Sequence, residues 1–477
     1  MLFTSITYFL FLAAALFLYY LIPRRFRSYF LTACSIWFYM YVKMSYIFLI
    51  LFVIVANYFL AIQIQNSPNQ KQRRGYFNFT LFINLAVLIF FKYWNFLIEN
   101  LFHLFGYFQA ETHAGFPYLD IVLPLGLSYY IFQTIGYTID VYRGSFKAER
   151  NFHCFALFTL FFPKLLVGPI ERARHFLPQL KREISFKKEN ITEGLKRIAW
   201  GLFKKLVVAD RISLYHTAVI THIPQESGMT LLLASLLYTF QVYADFSGYT
   251  DIALGTARLF GYNLMENFRR PLLAKNIGEF WRRWHISLSS WVNDYVFTPA
   301  ALQHRNWGNW GVYYALLISF VLIGFWHGAS WNYIFFGLLQ AVALIYEMAS
   351  KHARKRIFKA MNKELYNNIS IILTFLFVSF SLIIFQSGTL TEAASIIAGI
   401  FTKSGKLFID KPSTLLFMVI GIAIMMLYDA DEEYKIFKLS LFSNRSWVVQ
   451  QISYAFLLIY ILLAGVFDGG QFIYFAF

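Results

Sequence analysis

The sequence predicts an all-α, polytopic membrane protein, and three observations carry that expectation. Of 477 residues, 58% are hydrophobic and only 14% charged, where a soluble domain carries roughly 25% charged residues. Several uncharged runs reach the roughly 18–20 residues that span a bilayer core. The basic residues behind the net charge of +17 cluster in short loops between those runs. That is the positive-inside pattern with contact to anionic lipid, and not a nucleic-acid footprint.

Leu2–Ile22 is the first run, followed at once by Pro23, Arg24 and Arg25. A signal peptide carries its charge before the apolar stretch and ends in a small-residue cleavage site, so this run reads as a retained span with the N-terminus outside. Ser28–Val42 returns, and Ser45–Ile64 leads back to the inside loop of Lys71, Arg73 and Arg74. Residues 77–105 cross outward to a loop, Gly106–Tyr118, without Lys or Arg, and Asp120–Val141 comes back to a basic stretch. Phe152–Ile170 breaks the pattern. Basic loops flank it on both sides and Pro163, Lys164, Gly168 and Pro169 interrupt it. It reads as a re-entrant or broken helix, which must be buried in protein or line a cavity. Leu195–Ile220 and Met229–Ala244 are the next crossings. Ala315–Ile345, with no Lys, Arg, Asp or Glu, is too long for one perpendicular span and reads as a tilted helix or as two helices broken at Gly328. Ile369–Phe385, Leu415–Leu427 and Trp447–Val466 complete a chain of about 11 spans by the length rule, with the C-terminus outside. No internal repeat and no separate soluble domain is visible, so residues 1–477 read as one membrane domain with a core near 120–350. Cys34 and Cys154 are isolated and indicate neither a disulfide framework nor a zinc ribbon.

Three segments hold chemistry-bearing residues at membrane depth. In Gln241–Gly261, Asp245 and Asp251 flank Ser247 and Gly248 near the end of an apolar span. Carboxylates there are costly, and are paired or functional. One reading gives them ligand contact, with Gly248 breaking the helix. The other pairs them with Arg258, Arg269 or Arg270 for structure alone. In Glu279–Tyr295, Trp281, Trp284, Leu288 and Trp291 form one apolar helical stripe, with Arg282, His285 and Ser289 on another face and Glu279–Arg283 as an i,i+4 pair. This Trp-rich helix suits the membrane interface or a re-entrant position. In GFWHGASW, residues 324–331, His327 sits among Gly324, Gly328, Ala329 and Ser330, with Trp326, Trp331 and Asn332 beside it. A histidine in such a run is either a hydrogen-bonded core residue or a general base kept neutral by burial. There is no GxSxG elbow, no HExxH, no Cys/His metal spacing and no Walker A loop, and no metal is expected.

These segments resemble the membrane-bound O-acyltransferase family, in the bacterial branch that serves alginate O-acetylation and teichoic acid D-alanylation. Four pieces carry the resemblance: VGPIERARHFLPQL (167–180), the stretch 243–295 from YADFSGYTD to RRWHISLSSWVNDY, GFWHGASW (324–331) and the ending FIYFAF (472–477). It covers most of residues 120–350 and the extreme C-terminus. The resemblance implies helices in a ring around a central tunnel, His327 as catalytic residue and His285 near the same tunnel. It implies a cytosolic acyl thioester such as acetyl-CoA as donor, with no bound cofactor, and transfer of acetyl to an exported polysaccharide in a bacterial inner membrane, with a periplasmic SGNH-type partner. Supporting roles drawn from residue type are oxyanion stabilisation or His327 orientation by Asn332, Trp326 or Trp331, and donor-phosphate binding by Arg282 and Arg283. Trp284, Asp245, Ser247 and Asp251 complete the candidate set. The chain departs from the alginate-type pattern after the RRWH segment, where DYVFTPAALQHRNWGNWG replaces a Tyr-Ile-Pro-Leu-Gly-Gly turn, so the acceptor stays open. D-alanyl or other acyl transfer to teichoic acid or peptidoglycan is one alternative. A transporter or flippase, or a non-catalytic scaffold, is another.

Overall fold

A computed structural model of the protein describes residues 1–41, 43–104, 119, 122–409, 411–436 and 446–467. The loop 106–118, expected outside, and the ending 472–477 lie beyond the described residues. Every regular element among the described residues is helical. Seven helices are long and apolar enough to cross a membrane: Tyr46–Asn66, Gln70–Leu104, Gly228–Leu259, Asn309–His327, Trp331–Ala349, Lys363–Gln386 and Pro412–Tyr434. Ile6–Leu21, Leu390–Thr402 and Val448–Ala464 are shorter apolar helices. This is a polytopic helical membrane protein.

One compact unit holds residues 1–191, 256–265 and 328–330. Its helices are locked by polar groups with no access to water. The Asn57 and Asn84 amides bond reciprocally at 3.2 and 3.0 Å, and Thr134 and Thr138 donate to the same two oxygens. All four side chains are fully buried. Such interhelical amide pairs hold membrane helices where the hydrophobic effect does not.

The broken segment expected at 152–170 is present. Asn151 caps a helix over Phe152–Leu160, and a second, four-residue helix at Phe162–Leu165 follows with Pro163 in its first turn. The break leaves the Phe158 carbonyl and the Phe162 N–H outside the helical ladder. Gln133 and Lys164 donate to that carbonyl at 2.6 and 2.5 Å, and the Phe162 N–H donates to Ser35 at 3.1 Å. Irregular backbone at membrane depth is thus satisfied by side chains.

The other unit holds residues 192–255, 266–327 and 331–477. Helix Lys188–Leu202 passes through a π turn, Phe203–Ala209, into Asp210–Ile220. Its charges set this expected crossing apart from the seven apolar spans. Against it runs Gly228–Leu259, a helix unbroken at Gly248. The expected break is absent because Gly248 serves close approach instead. A Cβ there would stand 2.9 Å from the Gly201 carbonyl, and one on Gly201 would stand 2.6 Å from the Gly248 carbonyl. One on Gly255 would meet the Gly194 carbonyl at 2.7 Å. Glycine at the crossing lets two backbones touch.

The run 315–345 takes the two-helix form, Asn309–His327 and Trp331–Ala349. Gly324 and Gly337 face each other across this pair. A Cβ on Gly324 would fall 2.1 Å from the Tyr333 carbonyl, and one on Gly337 the same distance from the Phe320 carbonyl. Gly324→Val should therefore cost at least the ~1–3 kcal/mol of an overpacked core, read as a lower melting temperature in detergent. Gly75→Ala, where an added Cβ meets nothing within 4 Å, should leave melting unchanged or raise it slightly.

Candidate functional site

The hairpin just described puts His327 at the C-terminal end of its first helix, buried, with its ring edge-on to Trp326 and Phe385 at 5.1 and 5.2 Å. His327 lines a narrow cavity whose walls include Trp281, Trp284, Phe336 and Phe385. Among the described lining residues it is the one titratable group. The walls are held in place. The Trp281 indole N–H donates to Gln340 Oε1 at 3.1 Å, and Gln340 Nε2 donates to Ser381 at 2.9 Å. Phe280 stacks on Trp284 with centroids 5.4 Å apart. The cavity places an imidazole in largely apolar surroundings, the setting in which proton abstraction from a hydroxyl is least opposed by water.

The Trp-rich segment is not one helix. Asn276 caps Ile277–Arg283 by accepting from the Glu279 N–H, and the Glu279 carboxylate in turn accepts from the Lys275 N–H, just before the cap, at 2.9 Å. The helix stops because Trp284 is extended and His285 takes a left-handed conformation, φ 43°, before Ile286–Val292 begins. Trp281, Trp284, Leu288 and Trp291 are still all buried, so the apolar stripe is real. The polar face is not, since His285 is fully buried while Arg282 is exposed. The His285 ring stands edge-on to Phe246 at 4.7 Å and to Trp326 at 5.7 Å. Trp326 thus touches both histidines. His285 lies outside the seven spans, and burial pushes its pKa down to about 3, which keeps it neutral.

Asp245 and Asp251 are paired, but with partners other than those expected. Asp251 is 2.9 Å from Arg197 and 2.5 Å from Lys204, and Arg197 also grips Glu266 with both terminal nitrogens. Lys205 bridges Asp245 and Asp210, each at 2.7 Å, and Ser247 accepts from Lys204 at 2.9 Å. Arg270 pairs instead with Glu433 at 2.8 Å, and Arg258 with Asn263. The π turn at 203–209 carries the two lysines, and the glycine crossing brings them to the carboxylates. The arginines expected as partners lie close in the chain, whereas the helix crossing supplies distant ones.

The other candidates separate clearly. Trp284 lines the cavity. Asn332 is buried and donates to the Ser387 carbonyl at 2.6 Å, and Trp331 is 57% exposed. Arg283 is tied to Glu279 and Glu433 at 2.6 and 2.7 Å, so the expected i,i+4 pair is present and leaves Arg282 as the more open guanidinium. Gln340, Ser381 and Thr239 were missed. Each is a polar side chain inside an apolar run, and that is the signal in the sequence that marks them.

Asp251→Asn leaves Lys204 and Arg197 facing a neutral amide in a buried site. A loss of about 3–5 kcal/mol is expected for a broken buried pair, measured as a drop in the thermal unfolding midpoint. Arg282→Ala should leave that midpoint in place.

Residues 149–389 match the model of the membrane-bound O-acyltransferase family. The chain is 33% identical over 400 residues to the probable alginate O-acetylase of Pseudomonas putida, covering 84% of this chain and 80% of that one. It is 32% identical over 401 residues to the peptidoglycan O-acetyltransferase of Helicobacter pylori, covering 79% and 74%. It is 30% identical over 294 residues to the teichoic acid D-alanyltransferase of Bacillus subtilis, covering 58% and 72%. With a helical membrane fold and a buried histidine lining an aromatic-walled cavity, the chain is an acyltransferase and belongs to the membrane-bound O-acyltransferase family.

Proposed function

We propose that the protein moves an acetyl group from a cytosolic acyl thioester, acetyl-CoA, to a hydroxyl of an exported or cell-envelope polysaccharide. His327 takes the proton of the attacking hydroxyl as its oxygen adds to the thioester carbonyl. The C–S bond then breaks, the thiol leaves with the proton, and the acyl group stays on the acceptor oxygen. The observation that carries this reading is His327 as the titratable group on an otherwise neutral, aromatic cavity wall among the described residues. The acetyl group is favoured over D-alanyl because the relatives named for O-acetylation match more of the chain. Alginate and peptidoglycan are the acceptors those names offer. A separate periplasmic protein of the SGNH type is the proposed partner that completes transfer, and the inner membrane with both termini outside is the proposed location. Arg282 is the guanidinium best disposed to take a donor phosphate, because Arg283 is already engaged by two carboxylates.

Thiol release from acetyl-CoA by the purified protein in nanodiscs tests the reading directly. Wild type should release thiol, and His327→Ala should be slower by at least about 10²-fold, the scale of a lost general base. Equal rates from both would remove His327 from the chemistry.

A further inference from the structure

We infer that Asn267 is a positioning residue that fixes the His285 imidazole in the tautomer protonated at Nδ1, so that Nε2 carries the lone pair. The inference rests on the acyltransferase reading in one respect, that His285 belongs to the reacting site. The geometry it uses stands apart from that reading. Asn267 is fully buried, in the stretch that precedes the helix Ile277–Arg283. Its backbone runs beside the His285 turn: the Ile286 N–H donates to the Asn267 carbonyl at 2.9 Å, and the Arg269 N–H donates to the Arg283 carbonyl at 2.9 Å. Its side-chain oxygen accepts from the Ser287 N–H at 3.1 Å and from the Ser287 hydroxyl at 2.9 Å. That same oxygen is 3.1 Å from His285 Nδ1.

The chemistry of the contact sets the proton. A backbone N–H can only donate, so the Asn267 atom facing Ser287 N–H is the oxygen. An amide oxygen can only accept, so His285 Nδ1 must be the nitrogen that donates. A neutral imidazole has one N–H, which leaves Nε2 as the basic nitrogen. The backbone agrees with the side chain. His285 holds φ 43°, a left-handed conformation that costs a residue with a Cβ roughly 1–3 kcal/mol and persists only where surroundings enforce it, and Asn267 supplies three of the enforcing contacts. The ring is then held edge-on against Trp326, the neighbour of His327. A lone pair at Nε2 makes His285 an acceptor or base in the reaction. The opposite tautomer would make it a donor.

Two measurements test this. The first is the ¹H–¹⁵N coupling pattern of the full-length protein labelled at histidine, with His285 assigned by its loss in His285→Gln. A proton on Nδ1 is expected, and a proton on Nε2 in the wild type overturns the inference whether or not the protein consumes thioester. The second is a double-mutant cycle on thiol release from acetyl-CoA. Asn267→Ala should lower kcat at least tenfold with KM for the donor within about twofold, and Asn267→Asp, which keeps the acceptor, should recover most of it. His285→Ala should lose little more in the Asn267→Ala background than Asn267→Ala alone, because both remove one unit. Losses that multiply, or that Ser287→Ala reproduces in full with His285 still protonated at Nδ1, would make Asn267 a structural clamp only. Absence of thiol release from the wild type would count against the proposed function, and the nitrogen spectrum would still decide Asn267.

Discussion

In hydrocarbon a buried polar group has no water to fall back on, and each must find its partner inside the protein. That constraint organises what the structure shows. The reciprocal Asn57–Asn84 amides, the side chains that rescue the broken ladder at Phe158 and Phe162, and the lysines that meet Asp245 and Asp251 are answers to the same problem. Most of them join residues far apart in the chain, so the polar partners also specify which helices pack together.

The glycines at helix crossings make those partnerships reachable. Lys204 meets Asp251 only because Gly201 and Gly248 let two backbones touch. The same device at Gly324 and Gly337 closes the hairpin that ends in His327. A small residue at the crossing and a charged or titratable residue a turn or less away therefore act as one feature. The glycine sets the approach, and the polar group uses it.

Much of this was legible in the sequence. The helical membrane class follows from composition and run length. The break near Gly328 was one of two readings of an overlong apolar run, and the irregular backbone after Phe152 announced itself through two prolines and a lysine. What escaped has a common physical cause. Side-chain period predicts one helix over 279–295, but period is silent about a left-handed residue imposed from outside, and His285, bonded to Asn267, is one. Gly248 was read as a breaker because glycine's backbone freedom and its lack of a side chain cannot be told apart in one sequence. Lys204 and Lys205, which meet Asp251 and Asp245, sit within a π turn, and an extra residue per turn defeats any face drawn from a 3.6 period. Gln340 and Ser381 carry no charge and so stand out less than ionisable groups, although an amide or hydroxyl in an apolar run obeys the same rule.

Arg27 carries a consequence for how the protein is made. It belongs to the basic cluster that follows the first apolar run, yet it is buried, with its guanidinium donating to the Ile22, Tyr20 and Ile184 carbonyls and lying over the Tyr19 and Tyr20 rings. One side chain thus carries a charge of the kind that membrane insertion reads and acts as a clasp within the finished unit. Lysine would keep the signal, since orientation is read from charge alone. It would lose the clasp, because one ammonium cannot reach three carbonyls in a planar fork. Charge and clasp are thus separate demands on this position, and arginine meets both.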